Sequence, residues 1–178
     1  MTFVLPDGLA PEVYPLAWLV GEWEGHGVID YPQIPATDFR HTVVFDHDGG
    51  PYLSYTSTMT LIGLDGEDGQ VWSKESGFWR VSPDVPDGIE LQDFQHPIEA
   101  VIADAAGMVA VYVGAVGNGR IDLATDVMAR TASAPDVGGA TRLYGLVSGE
   151  LMWAWDLAAF GNELQSYASA RLSRASAG

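Results

Sequence analysis

Residues 21–32 form the alternating stretch that decides the fold, and they read Gly21-Glu22-Trp23-Glu24-Gly25-His26-Gly27-Val28-Ile29-Asp30-Tyr31-Pro32. Successive side chains of a β-strand point to opposite faces, so the odd positions, which hold glycines and large apolar side chains, share one face. The even positions are mostly polar and are expected to face outward. Glycines on the apolar face weaken a strand, which indicates a sharp bend there or the close approach of a ligand or another segment. A barrel corner with Trp23 closing one end satisfies the same pattern.

Short β-rich runs separated by Gly, Pro and Asp turns follow this stretch. Helical periodicity is scarce and predicts only a short helical turn over residues 11–19, interrupted by Pro15. The sequence predicts strands near residues 20–31, 39–47, 51–63, 70–82, 88–93, 98–105, 108–115, 120–132, 140–147, 150–159 and 165–173. About ten strands at this spacing predict an all-β fold, either an antiparallel up-and-down barrel or a sandwich. A closed barrel has no exposed strand edges, so we favour the barrel over the sandwich. We expect residues 1–178 to form it as a single domain.

The charge balance of the chain narrows the classes of partner. The 178 residues include 24 Asp and Glu against 8 Lys and Arg, for a formal net charge of −16. Such a surface repels phosphate backbones and anionic lipid headgroups, so we expect no nucleic-acid or membrane partner. Cysteine is absent, which excludes disulfides, thiolate metal sites and a cysteine nucleophile. No export signal is evident, and we expect a cytoplasmic protein that is a monomer or homodimer.

Motifs along most of the chain resemble those of the nitrobindin family. The opening Gly-x-Trp-x-Gly-x-Gly pattern, followed by Tyr-Pro, is similar to the nitrobindin signature; here it consists of Gly21, Trp23, Gly25 and Gly27. Further stretches match the family in order and spacing: His47-Asp48-Gly49-Gly50-Pro51, Glu75-Ser76-Gly77-Phe78-Trp79-Arg80, Ala140-Thr141-Arg142 and Leu157-Ala158-Ala159-Phe160-Gly161. Nitrobindins are ten-stranded barrels, similar to fatty-acid-binding proteins and lipocalins, that carry haem b. The resemblance therefore implies this barrel and, in the family, isomerisation of peroxynitrite to nitrate.

The position of the family's haem ligand differs in this chain. Nitrobindins hold the haem iron through a histidine of the last strand, within a pattern like Leu-Gln-Pro-His-Leu-Ser-Ala. This chain reads Leu164-Gln165-Ser166-Tyr167-Ala168-Ser169-Ala170, so Tyr167 occupies the histidine position. Pro135 stands where bacterial members tend to carry a lysine suited to a haem propionate. The chain thus resembles a ferric nitrobindin-like branch that lacks the haem histidine.

Tyr167 admits two interpretations. A phenolate can ligate ferric haem, but this requires a lowered pKa that a nearby arginine usually supplies. Arg171 shares the strand parity of Tyr167 and is expected to lie about two side-chain steps away. The second interpretation is a tyrosine that fills the cavity and hydrogen-bonds a neighbour or water, since an unpaired buried hydroxyl costs about 1–3 kcal/mol.

The remaining polar residues indicate no catalytic constellation. For each of the histidines we expect a solvated or internally hydrogen-bonded side chain and no metal site; they are His26, His41, His47 and His96. No paired-carboxylate, Ser-His-Asp or phosphate-loop pattern is present. Glu75, beside Lys74, is expected to form a surface or barrel ion pair.

These observations favour a binding protein for an unidentified small apolar ligand, without haem and without catalytic residues. One alternative is a ferric haem protein with Tyr167 as axial ligand, acting on reactive nitrogen species. Another is a carrier of fatty acid or a similar lipid, whose carboxylate would need an inward arginine, for which Arg142 and Arg171 are the candidates. Enzymatic activity stays open, because the family activity depends on haem iron.

Overall fold

The chain folds as a closed antiparallel barrel in this computed structural model, which describes residues 3–176. A 3-10 helix, Pro11–Leu19, precedes the barrel. The strands are β1 (Gly21–Tyr31), β2 (Ile34–Asp46), β3 (Leu53–Ile62), β4 (Asp68–Val81), β5 (His96–Asp104), β6 (Met108–Gly117), β7 (Arg120–Arg130), β8 (Val137–Val147), β9 (Glu150–Ala159) and β10 (Gln165–Arg174).

Each strand pairs with its neighbours in sequence, and β1 closes the barrel by pairing with β10. The predicted up-and-down barrel of about ten strands and the short N-terminal helical turn are therefore confirmed. The alternation predicted for β1 is also confirmed, because Trp23, Ile29 and Tyr31 are buried whereas Glu22, Glu24 and Asp30 are exposed. No helix among residues 3–176 is long and apolar enough to cross a bilayer.

The strand predicted at residues 88–93 is wrong. These residues belong to a loop between β4 and β5, in which the Ile89 N–H donates to the Pro86 carbonyl in a turn (3.2 Å). Because β5 pairs directly with residues 75–81 of β4 in a closed barrel, the sheet offers this segment no free edge.

The space left by the glycines of β1 is occupied by β10 and β2. A Cβ atom at Gly25 would collide with the Arg171 carbonyl oxygen on β10, and one at Gly27 with the Ser169 carbonyl oxygen and the Phe39 ring. Of the alternatives raised by the sequence, close approach of another segment is therefore the one observed. These glycines serve the barrel wall and do not line the cavity described below.

The two ends of the barrel differ. At the end where β1 begins, the 3-10 helix buries Val13, Leu16 and Leu19, and the Leu19 carbonyl accepts a hydrogen bond from Trp23 Nε1 (2.8 Å). The Arg174 guanidinium, at the end of β10, donates to the carbonyls of the helix end at 2.7 and 2.8 Å. The helix thus closes this end, and Trp23, which the sequence suggested as the closing residue, lies buried beneath the helix.

Aromatic side chains fill the barrel next to the helix end. The Trp79 ring lies 5.2 Å from the Phe45 ring, 5.6 Å from the Tyr55 ring and 5.3 Å from the Tyr144 ring, and all four residues are almost fully buried. Such aromatic contacts stabilise a core beyond the area they bury. The open volume of the barrel is consequently confined to the opposite end.

Candidate functional site

A cavity of about 420 Å³ opens at the end of the barrel opposite the 3-10 helix. Its wall comes from the start of β2, β4, β6, β8 and β10 and from the end of β5, β7 and β9, because antiparallel strands bring these positions to the same rim. Most of the wall is apolar, with Ile34, Ile102, Met108, Met128 and Leu157 among its residues. This volume falls within the range of about 300–1,000 Å³ typical of small-molecule sites.

Tyr167 enters the cavity from a β-bulge. The register between β10 and β9 shifts between Ser166 and Ala168, so Tyr167 is the extra residue and its side chain turns inward. Its hydroxyl oxygen accepts a hydrogen bond of 2.6 Å from Trp72 Nε1 on β4. Tyr31 packs edge-on against its ring at 5.8 Å. The side chain is therefore fixed between β4 and β1.

Burial raises the pKa of the Tyr167 phenol, and this effect outweighs the opposing hydrogen bond from Trp72. The hydroxyl is thus protonated at neutral pH. Its observed partner agrees with the second interpretation of this residue, in which it packs in the cavity and bonds a neighbour.

A buried ion pair forms the cavity floor. Arg142 on β8 donates to both carboxylate oxygens of Glu75 on β4, at 2.9 and 2.6 Å, and both side chains are about 95% buried. The Tyr55 hydroxyl donates to the same carboxylate at 2.9 Å. Burial opposes ionisation of Glu75, but the guanidinium charge and these hydrogen bonds outweigh it and keep the pKa of Glu75 below its usual value. The charge of Arg142 is therefore already neutralised within the protein.

Aromatic rings also surround the Arg142 guanidinium. Its central carbon lies 3.9 Å from the centre of the Trp155 ring and 4.8 Å from that of Tyr112. Stacking of this kind stabilises a desolvated cation. Arg142 Nε and Trp155 Nε1 have no hydrogen-bond partner among residues 3–176, although both residues line the cavity.

Two further carboxylates lie in the cavity wall. Asp104 accepts hydrogen bonds from Ser73 Oγ (3.0 Å) and from the Ala106 N–H (2.6 Å). Asp156 lines the same cavity and pairs with no basic side chain within the described range. The cavity wall consequently carries excess negative charge once the Glu75–Arg142 pair is counted as neutral.

Comparison with known proteins agrees with this geometry. Residues 12–174 match the profile of the THAP4-like, heme-binding beta-barrel domain. The chain is 46% identical to a ferric nitrobindin-like protein of Beutenbergia cavernae, a match that covers 98% of this chain and 99% of that protein.

The chain belongs to the nitrobindin family. The predicted resemblance to this family is thereby confirmed. The chain is also 39% identical to a protein of Leifsonia xyli named peroxynitrite isomerase, over 96% of this chain and 98% of that one. In the crystal structure of Rv2717c from M. tuberculosis the same fold recurs, with a TM-score of 0.78 at 28% identity, covering 94% of this chain and 99% of that chain.

The predicted cavity role of Arg171 is wrong in this nitrobindin-family barrel. Because the bulge at Tyr167 reverses the strand parity, Arg171 faces solvent, with 60% of its side chain exposed, and pairs with Glu150 at 2.6 Å. Arg142, the other candidate, does line the cavity. It is held by Glu75, so the barrel ion pair expected for Glu75 exists, but its partner is Arg142 rather than Lys74.

None of the histidines lines the cavity. His26 and His96 are exposed, and His47 lies in the turn after β2. His41 is fully buried: its Nδ1 accepts a hydrogen bond from Trp153 Nε1 (3.0 Å), so its Nε2 carries the proton and donates to Ser57 Oγ (2.7 Å). Among the described residues no group of His, Asp and Glu side chains is placed to hold a metal ion.

Trp72 and the pairing of Glu75 with Arg142 were missed from the sequence. Strand parity offered a signal for the pair, because Arg142 lies on the same strand face as the buried Ala140 and Tyr144. A buried arginine requires a carboxylate partner. No signal was available for Trp72. A register shift in β4 and the bulge in β10 together bring Trp72 and Tyr167 into contact, and neither irregularity is encoded in the alternation.

Proposed function

We propose that this nitrobindin-family barrel binds a small, largely apolar organic ligand in the cavity and does not act as a haem peroxynitrite isomerase. The observation that carries the proposal is the hydrogen bond between Tyr167 and Trp72 inside an apolar wall. It occupies the hydroxyl oxygen at the position that, by resemblance, corresponds to the family's iron-ligating histidine.

The residues of the cavity do not suit haem. Tyr167 would have to ionise to bind ferric iron, but burial raises its pKa. The two candidate arginines are already in ion pairs, Arg142 with Glu75 and Arg171 with Glu150 on the outer surface. The haem propionates would meet Asp104 and Asp156 and no uncompensated basic side chain among the described cavity residues.

The same contacts weigh against a fatty-acid carrier. A bound carboxylate needs a free cation, and both terminal nitrogens of Arg142 already bind Glu75. Breaking a buried ion pair to accommodate a second anion would leave a charge uncompensated, which costs about 3–5 kcal/mol. Native mass spectrometry of the purified protein checks this point, and we expect no fatty acid to copurify.

Titration with the neutral fluorescent probe N-phenyl-1-naphthylamine tests the proposed function. We expect saturable binding that Ala110→Phe abolishes, because Ala110 is buried in the cavity wall and the added ring fills the space. Val109→Phe is the matched control, since Val109 is the adjacent residue of β6 and faces outward. Equal binding by wild type and both variants would contradict a ligand site in the cavity.

Ferric haem bound by the Tyr167 phenolate is the second candidate. The family profile, which is described as heme-binding, and the position of Tyr167 in the cavity favour it. Hemin titration separates the two candidates, because a tight Soret band in the wild type that disappears in Tyr167→Phe requires phenolate ligation.

A further inference from the structure

We propose that the ligand is a neutral molecule carrying a hydrogen-bond acceptor, such as a ketone or ether oxygen, which the Tyr167 hydroxyl binds. This inference rests on the proposed function, that of a cavity for a small apolar ligand. It adds the chemical class of the polar group that the cavity recognises, and it excludes carboxylates.

The Tyr167 hydroxyl has one proton that is available for donation. The oxygen accepts the Trp72 Nε1–H bond, and a phenol hydroxyl has in addition one proton to donate. No side chain or carbonyl in residues 3–176 accepts that proton, although Tyr167 lines the cavity. The phenol therefore presents a donor to a molecule in the cavity.

The described cavity wall contains two further unpaired donors. Arg142 Nε and Trp155 Nε1 are donors with no partner in the described part of the chain, and both residues are at least 94% buried. Buried donors are satisfied in the great majority of native proteins. The Glu75 carboxylate already accepts from Arg142 and Tyr55. The Tyr144 hydroxyl, which also has no hydrogen-bond partner among the described residues, lies near both of these donors. The donor that the cavity offers to a ligand is therefore the Tyr167 hydroxyl.

The charge of the cavity wall opposes an anionic ligand. The described cavity wall holds one cation, Arg142, against the three carboxylates Glu75, Asp104 and Asp156. Arg130, beside the turn that contains Pro135, pairs with Asp136 at 2.8 Å. Because like charges repel, an anionic ligand is disfavoured even though a donor is available. A neutral acceptor satisfies the Tyr167 hydroxyl without adding negative charge.

Three probes with the same ring system test this class: 2-acetylnaphthalene carries a neutral ketone, 2-ethylnaphthalene carries no acceptor, and 2-naphthoate carries a carboxylate. Each competes against N-phenyl-1-naphthylamine at neutral pH with wild type, Tyr167→Phe and Tyr52→Phe. Tyr52 is the matched control, because its hydroxyl bonds the exposed Asp48 away from the cavity.

We expect Tyr167→Phe to weaken 2-acetylnaphthalene binding by about 3- to 10-fold, the effect of one lost hydrogen bond. The same variant should leave 2-ethylnaphthalene unchanged, and Tyr52→Phe should change neither. In the wild type, 2-naphthoate should bind at least about tenfold more weakly than the ketone, because of the repulsion described above.

Two results would overturn the inference: naphthoate binding as tightly as the ketone, or Tyr167→Phe weakening ketone and hydrocarbon equally. In either case the proposed apolar site stands if the hydrocarbon still competes. If none of the probes competes and N-phenyl-1-naphthylamine does not bind, the proposed function fails together with the inference.

Discussion

At the scale of single residues, the chemistry of the cavity is set by pairs. Tyr167 is paired with Trp72, and Arg142 with Glu75. A residue that looks available for ligand binding in the sequence is thus already bonded in the fold. Arg142 considered alone suggested a site for an anionic ligand. Because Glu75 neutralises Arg142 in the fold, the pair does not attract an anion.

Removing one member of the buried ion pair should be costly. We expect Glu75→Gln to lower the free energy of unfolding by about 3–5 kcal/mol, because Arg142 would remain buried without a counter-charge. The double variant Glu75→Leu with Arg142→Met should recover most of this loss, since neither charge remains. Urea unfolding measures the free energy of unfolding of both variants. A Glu75→Gln variant as stable as the wild type, or a double variant no more stable than Glu75→Gln, would contradict the role given to the buried ion pair.

His41 should make the free energy of unfolding decrease as the pH is lowered. Burial lowers the pKa of His41 from 6.5 to about 3, with Glu75 acting in the opposite direction and Arg142 in the same direction. Between these pH values the unfolded chain binds a proton that the folded chain does not, so stability falls as pH falls through this window, by about 1.4 kcal/mol per pH unit.

The comparison that isolates this effect is wild type against His41→Gln, unfolded in urea at several pH values between the two pKa values. The difference in unfolding free energy between the two proteins should narrow as the pH is lowered, because only the wild type carries the His41 penalty. A difference that stays constant with pH would show that His41 is protonated in the folded state or does not contribute.

At the scale of elements, close approach of β10 fixes the composition of β1. Gly25→Ala should lower the free energy of unfolding by about 1–3 kcal/mol, because the added Cβ meets the Arg171 carbonyl and the β10 backbone must move. Gly138→Ala is the matched control: there the added Cβ has only an ordinary contact with the Ala158 carbonyl oxygen, at 3.8 Å, and should change stability by less than about 1 kcal/mol. Thermal unfolding measures the stability of both variants. An equal loss of stability in Gly25→Ala and Gly138→Ala would contradict this explanation of the β1 glycines.

The elements also show what sequence alternation predicts well. Period-two patterning and turn residues located each of the ten strands, because each strand has one buried and one exposed face. The pattern failed where the backbone departs from regular geometry. The bulge at Tyr167 moved Arg171 to the surface, and residues 88–93 lie in the loop between β4 and β5 although their composition resembles a strand.

At the scale of the whole molecule, the barrel has one filled and one open end. The 3-10 helix and the aromatic layer around Trp79 fill the first, and the cavity occupies the second. Membership of the nitrobindin family, proposed from ordered motifs, is confirmed by the match over residues 12–174. The contents of the cavity could not be predicted to the same depth, since they depend on pairs contributed by distant strands. The cytoplasmic location and the single domain over residues 1–178 stay predictions.

The most direct test of the central claim is hemin titration of the wild type, Tyr167→Phe and Tyr167→His, followed by absorbance in the Soret region. We expect no saturable Soret band for the wild type or for Tyr167→Phe. A band gained by Tyr167→His would mark this position as the lost ligand site. A tight, stoichiometric Soret band in the wild type that disappears in Tyr167→Phe would contradict the account, because it would show that the buried phenol gives up both its proton and its bond to Trp72 in order to hold iron.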